Sequence, residues 1–148
     1  MYLHHVVCNY ILHDVDKKRR GEMKLNQQMS DSERELMKII WENGGSIFIA
    51  ELLERVEENN KGWKRSTVLT FLTRLTEKGF IKTEKYKRKN KYIATLSESE
   101  YMEEQTTVFL HKVYDGNAKK LVSTLLKQDR ITSKDFEELE KFWNKDGV

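Results

Sequence analysis

Residues Ser66 to Leu96 read STVLTFLTRLTEKGFIKTEKYKRKNKYIATL, and the hydrophobic period changes partway along them. Before Gly79, the residues Val68, Phe71, Leu72 and Leu75 recur at the i, i+3, i+4, i+7 spacing that lays apolar side chains along one stripe of a helix. This predicts a helix from about Ser66 to Lys78, stopped at Gly79, because glycine enters the left-handed conformation that ends helices without a Cβ penalty. After Phe80 the chain runs through Ile81-Lys82-Thr83-Glu84-Lys85-Tyr86, a charged stretch Lys87 to Asn90, and Lys91-Tyr92-Ile93-Ala94-Thr95-Leu96. Two such segments around a polar tip predict a β-hairpin.

Working upstream, Ser30-Asp31-Ser32-Glu33 has the form of a capping box, in which a serine hydroxyl and a glutamate three residues on satisfy each other's backbone N–H groups. A helix is expected from there to Asn43, with Leu36, Ile39 and Ile40 on one face, widened by Met37 and Trp41, and ended by Asn43-Gly44-Gly45. Ile49, Leu52, Leu53 and Val56 predict a second helix over about Ile49 to Glu58, followed by the turn Asn59-Asn60-Lys61-Gly62. Three short helices and a hairpin make a winged helix-turn-helix.

Downstream, Ser97-Glu98-Ser99-Glu100 repeats the capping box and opens a helix to about Tyr114, where Asp115-Gly116-Asn117 breaks it. A further helix carries Ala118, Leu121, Val122, Leu125 and Leu126; Thr132-Ser133 caps a last one bearing Phe136, Leu139, Phe142 and Trp143. So short a segment cannot enclose this many large apolar residues by itself. A partner subunit is the expected solution, with Phe109, Val113, Leu121, Leu125, Leu126, Phe136, Leu139, Phe142 and Trp143 as candidate dimerisation residues. The predicted fold class is mainly α with a small β-hairpin: an N-terminal winged helix over 23–96 and a C-terminal three-helix dimerisation module over 97–148. Residues 1–22 read as an N-terminal extension, either disordered or a translated leader ahead of a natural start at Met23.

Hydrophobic residues make up 38% of the 148 and charged residues 34%, with no proline and 7 glycines, a balance that favours long uninterrupted helices over a turn-rich sandwich or barrel. Cys8 is the single cysteine, so neither an internal disulfide nor a cysteine-based metal site is expected, and a reducing, cytoplasmic setting follows. No apolar stretch approaches the ~20 residues of a membrane span, so no membrane insertion is expected.

The net charge of +3 conceals a strong asymmetry. Met23 to Asn60 carries 4 basic and 8 acidic residues, and Ile93 to Val148 carries 8 basic and 11 acidic. Between them, Lys61 to Tyr92 holds 11 basic residues against Glu77 and Glu84 alone, net +9. A field of one sign confined to one segment is the footprint of a nucleic-acid surface.

On the third helix the residues opposite the apolar stripe are Ser66, Thr70, Thr73 and Glu77, flanked by Thr67 and Arg74. Small polar side chains let a helix approach base edges closely in a major groove. They equally suit a plain solvated face. The hairpin tips the balance, because Lys85, Lys87, Arg88, Lys89 and Lys91 repel one another unless a polyanion absorbs them. The candidate DNA-binding residues are Lys64, Arg65, Ser66, Thr67, Leu69, Thr70 and Arg74 on the helix, and Lys87, Arg88, Lys89 and Lys91 on the wing. Double-stranded operator DNA is the expected partner.

The runs Glu35-Leu36-Met37-Lys38-Ile39-Ile40-Trp41, Trp63-Lys64-Arg65-Ser66-Thr67-Val68, Leu72-Thr73-Arg74-Leu75-Thr76-Glu77-Lys78-Gly79-Phe80-Ile81 and Lys112-Val113-Tyr114-Asp115-Gly116 together resemble the BlaI/MecI/CopY family of penicillinase repressors. The resemblance spans about Met23 to Trp143. It implies an N-terminal winged helix, a C-terminal helical dimerisation module, and a homodimer that represses transcription from an inverted repeat with TACA/TGTA half-sites. For the antibiotic-resistance branch it also implies release from DNA when a membrane sensor metalloprotease triggers cleavage of the repressor. The Asn-Phe bond cut in that branch aligns with Val108-Phe109, the candidate regulatory cleavage point, where Phe109 matches and Val108 departs. Lys64-Arg65 stands where that branch carries Ser-Pro, and Leu69 where it often carries Arg or Gln. The paired Cys-x-Cys motifs of the copper branch have no counterpart here, which excludes copper sensing through them.

No Gly-rich phosphate loop, Ser-His-Asp set or metal-ligand spacing occurs, so neither an enzyme nor a cofactor or metal is expected. His111 reads as a surface or packing residue, and Asp135, Glu137, Glu138 and Glu140 as a solvated helix face. His4, His5, Cys8 and His13 could chelate a metal by composition. A different class of function also fits the charges: an interaction module whose basic wing meets an acidic protein and whose C-terminal helices pair with another chain.

Overall fold

The computed structural model describes residues 28–145; the N-terminal extension 1–22, with its histidines and Cys8, lies outside them. The element order is α1 (Asp31–Glu42), β1 (Ser46–Phe48), α2 (Ile49–Glu58), α3 (Arg65–Glu77), β2 (Ile81–Tyr86), β3 (Lys89–Ala94), α4 (Glu98–Tyr114), α5 (Ala118–Lys127) and α6 (Ser133–Lys145).

The start of α1 is a true capping box: the Glu33 N–H donates to Ser30 Oγ at 3.3 Å and the Ser30 N–H donates to Glu33 Oε2 at 2.9 Å. Its end is a Schellman turn, with Gly44 and Gly45 at φ +77 and +84 and the Gly45 N–H bonded to Ile40 O at 3.0 Å. The two left-handed residues turn the chain straight into β1, and Gly45 O accepts from the Ala94 N–H at 2.8 Å. Gly79 at φ +81 closes α3 in the same manner, the Phe80 N–H bonding Leu75 O at 2.9 Å. Phe80 and Leu75 are both buried, which supplies the apolar contact that accompanies this motif.

The sheet has three antiparallel strands in the order β1-β3-β2, with Ile47 opposite Tyr92 and Thr83 opposite Tyr92 on the other side. The expected hairpin is therefore the larger part of a sheet whose first strand, Ser46–Phe48, the sequence pattern did not reveal. Three residues are too few to show an alternation, and Ile47-Phe48-Ile49 runs without a break into the apolar stripe of α2. Ile47 is 1% exposed, so β1 anchors the hairpin to the helical core.

That core lies between α1, α2, α3 and the inner face of the sheet, built on Leu36, Ile40, Leu52, Val68, Leu72 and Phe80. Burying each such side chain is worth about 1.5–3 kcal/mol. Trp41 adds a polar tie, its Nε1–H donating to Leu96 O at 2.9 Å. Among the described residues one charged side chain is buried with the core: Glu33, 1% exposed, receives Lys78 Nζ at 2.6 Å and so links the start of α1 to the end of α3.

The chain divides into two compact units, the first ending at Glu103 and the second starting at Glu104. The division falls inside α4, whose first turns belong with the first unit: Tyr101 is buried against Trp41 and Phe80. In the second unit, α5 is capped by Asn117 and the start of α6 by Thr132 and Asp135, whose carboxylate accepts from Thr132 Oγ1 and N. Neither α5 nor α6 has a buried residue.

Candidate nucleic-acid interface

Helix α3 buries Val68, Leu72 and Leu75 and leaves its opposite side open. Arg65, Ser66, Leu69, Thr70, Thr73, Arg74 and Glu77 are exposed, and Thr67 is half-buried. The helix starts one residue earlier than its apolar spacing predicts, so Arg65 stands in its first turn and Lys64 is its cap. Lys64 makes no side-chain cap bond. Its carbonyl accepts from Thr67 and Val68, while the earlier N–H groups point out of the helix start, a place that favours anions.

The approach to α3 is fixed by a tight turn. Asn60 and Gly62 take positive φ of 51 and 63, and Trp63 packs edge-on against Phe71 with centroids 5.1 Å apart. Lys61 lies over the Trp63 ring and is paired with Glu35 at 3.0 Å, which withdraws it from the free cations.

At the wing, Tyr86 and Lys89 pair across a two-residue loop made of Lys87 and Arg88 alone. Both take left-handed φ, 45 and 67. This is the twist that a two-residue hairpin requires, and it is normally supplied by Asn-Gly. The tip is thus tighter than the polar run Lys87 to Asn90 suggests, and Lys89 belongs to the strand. The outer face of the sheet carries Phe48, Tyr86 and Lys91 together: the two rings are 6.2 Å apart, and Lys91 Nζ is 5.6 Å from the Phe48 centroid. Lys91 is half-buried and is the least available of the proposed wing cations. Phe48 and Tyr86 also shape this surface, and neither is among the residues singled out by sequence; an aromatic beside a basic run is the signal that would have found Tyr86, whereas Phe48 has no such signal.

Lys82 is paired with Glu84 at 3.0 Å. Lys64, Arg65, Lys85, Arg88 and Lys89 are exposed and have no carboxylate partner among the described residues. Burial alone would raise the Glu33 carboxyl, but the Lys78 ammonium, the Ser30 N–H and the nearby Arg74 hold it below the usual carboxylate range. Arg74 therefore stands on the exposed face of α3 with an anion behind it.

Of the candidate dimerisation residues, Phe109, Val113, Leu126, Phe136, Leu139, Phe142 and Trp143 are exposed, while Leu121 and Leu125 are half-buried. Val108 and Phe109 lie in the middle of α4. No group of acidic, histidine or cysteine side chains that could hold a metal occurs among the described residues, and no helix among them is long and apolar enough to cross a membrane.

Comparison with known proteins bears on the whole of this arrangement. The family described as penicillinase repressor matches residues 29–145. The penicillinase repressor of Bacillus licheniformis is 32% identical over 117 residues, covering 79% of this chain and 90% of that protein. The methicillin resistance regulatory protein MecI of Staphylococcus aureus strain N315 is 30% identical over 118 residues, covering 80% of this chain and 94% of its own. A solution structure of the DNA-binding domain of the repressor BlaI aligns at 35% identity with a TM-score of 0.45, over 50% of this chain and 88% of that one. With a family match running from before the first helix to the end of the last, the chain belongs to the penicillinase repressor family.

Proposed function

We propose that the protein is a homodimeric transcriptional repressor that binds an inverted-repeat operator, with α3 in the major groove and the wing on the flanking backbone. The observation that carries this reading is the set of cations with no carboxylate partner among the described residues, Lys64, Arg65, Lys85, Arg88 and Lys89, exposed on the unit that also leaves one polar side of α3 open. Membership of a family of repressors supports the regulatory role. In this reading Arg65, Ser66, Thr67 and Thr70 face bases or adjacent phosphates, while Arg74, Lys87, Arg88 and Lys89 hold phosphates, which fix register without reading sequence.

The second copy is assigned to the C-terminal helices. A pair of helices with no buried residue and with Phe136, Leu139, Phe142 and Trp143 all exposed carries far more apolar surface than a monomer leaves in water. Two-fold symmetry then predicts two half-sites about one or two helical turns apart. A membrane sensor metalloprotease acting at Val108-Phe109 would first have to unwind the middle of α4, so cleavage there depends on local opening of that helix.

Selection of bound sequences from random duplex DNA tests the reading. Enrichment of an inverted repeat is the expected result; recovery of no preferred duplex would contradict it.

A further inference from the structure

The open side of α3 is not uniformly polar. At about 100° per residue, Ser66, Thr70, Thr73 and Glu77 lie opposite the buried stripe, Arg74 stands on one flank, and Leu69 stands on the other. Leu69 is 37% exposed although it is the largest apolar side chain on that side. The threonine hydroxyls beside it are committed inward: Thr70 Oγ1–H donates to Ser66 O and Thr73 Oγ1–H to Leu69 O, each at 3.0 Å. A hydroxyl that returns its proton to the helix has none to give a base. What these two residues present outward is a methyl group and acceptor lone pairs.

Arg65 and Arg74 are consequently the strong donors of the face: Arg74 stands on the flank away from Leu69, while Arg65 precedes Leu69 by one helical turn on its own side. Leu69 itself offers no donor to guanine O6 or N7. In the major groove the mark that suits an apolar contact is the thymine 5-methyl group. We infer that α3 recognises thymine through an apolar strip formed by Leu69 and the methyls of Thr70 and Thr73, with Leu69 as the specificity-determining residue. This rests on the DNA-binding reading above and adds to it which base is read and by what chemistry. Covering one methyl group is worth about fourfold in affinity.

The test uses the full-length protein and the duplex most enriched from random-sequence DNA, with each thymine in turn replaced by deoxyuridine, which removes only the methyl. Binding is expected to weaken about fourfold at one or two steps in each half-site. Leu69→Ala should bring that thymine-to-uracil ratio close to one, and Leu69→Met should keep it; circular dichroism of both variants confirms the fold, since the side chain lies outside the core. Equal binding of thymine and uracil duplexes at every step would overturn the inference, as would an unchanged ratio in Leu69→Ala or an enriched duplex without thymine. Failure to enrich any duplex overturns the DNA-binding reading itself, and the inference with it.

Discussion

Lys87 and Arg88 occupy a turn that their side chains make costly. Each left-handed non-glycine residue is disfavoured by about 1 kcal/mol or more, and strain of this kind persists where the surroundings or the function require it. Replacing the pair with Asn-Gly should relax the hairpin and raise the melting temperature by about 4 °C or more for each kcal/mol relieved, while weakening binding to duplex DNA. A variant that melts no higher, or that binds DNA as well as the wild type, would remove the case for strain kept in the service of binding. Glu33 is the opposite kind of residue, buried and fully partnered by Ser30 and Lys78. Because its carboxyl is held below the usual range in the folded protein, its contribution is complete above about pH 5 and is lost as the pH falls through the depressed folded value. Glu33→Gln should cost about 1–3 kcal/mol at neutral pH and flatten the fall in stability between neutral and acid conditions. Chemical denaturation across that range checks both. Ser30 and Glu33 showed their capping role in the sequence through spacing alone; the Lys78 partner, far along the chain, has no local signature and emerged only with the fold.

Among the elements, helices with a strong apolar period were readable to within a residue at each end: α2 occupies Ile49–Glu58 as its spacing predicts, and α1 begins after Ser30. Capping residues made this possible, since they mark ends chemically. The start of α3 moved to Arg65 because no capping side chain marks it. Strand β1 went unseen because its pairing to β3 is a tertiary contact, not a local pattern. Of the candidate site, the charges were plain in the sequence, but which of them are free was not. Lys61 and Lys82 are engaged by Glu35 and Glu84, and Lys87 and Lys91 lie over the Tyr86 and Phe48 rings. A division of labour between elements follows from this. Changing Lys87, Arg88 and Lys89 together to alanine should lower the log-log salt slope of binding by up to about 2.7, at ~0.9 per phosphate released, with sequence preference kept. Thr70→Ala should leave the slope and relax the preference. Fluorescence anisotropy over a salt series distinguishes the two, and equal effects from both changes would argue against separate roles for wing and helix.

At the scale of the whole molecule, the proposed DNA-binding role falls on the first unit and the proposed pairing role on the second. The apolar residues of α6 that face water in one copy, Phe142 and Trp143 most of all at 69% and 63% exposed, should be covered in solution by a second copy. Light scattering after size exclusion should give twice the chain mass, and Phe142→Asp with Trp143→Asp should give a folded monomer that binds a full operator more weakly. A monomer at all concentrations in the unaltered protein would favour the alternative of an interaction module that pairs with a different chain. That alternative and the repressor reading diverge most sharply on duplex DNA itself. The measurement that decides is the affinity of the full-length protein for its selected duplex as a function of salt concentration. A linear log-log fall with a slope of several units, ~0.9 for each phosphate neutralised, is the expected result; an affinity that does not change with salt would overturn the DNA-binding reading.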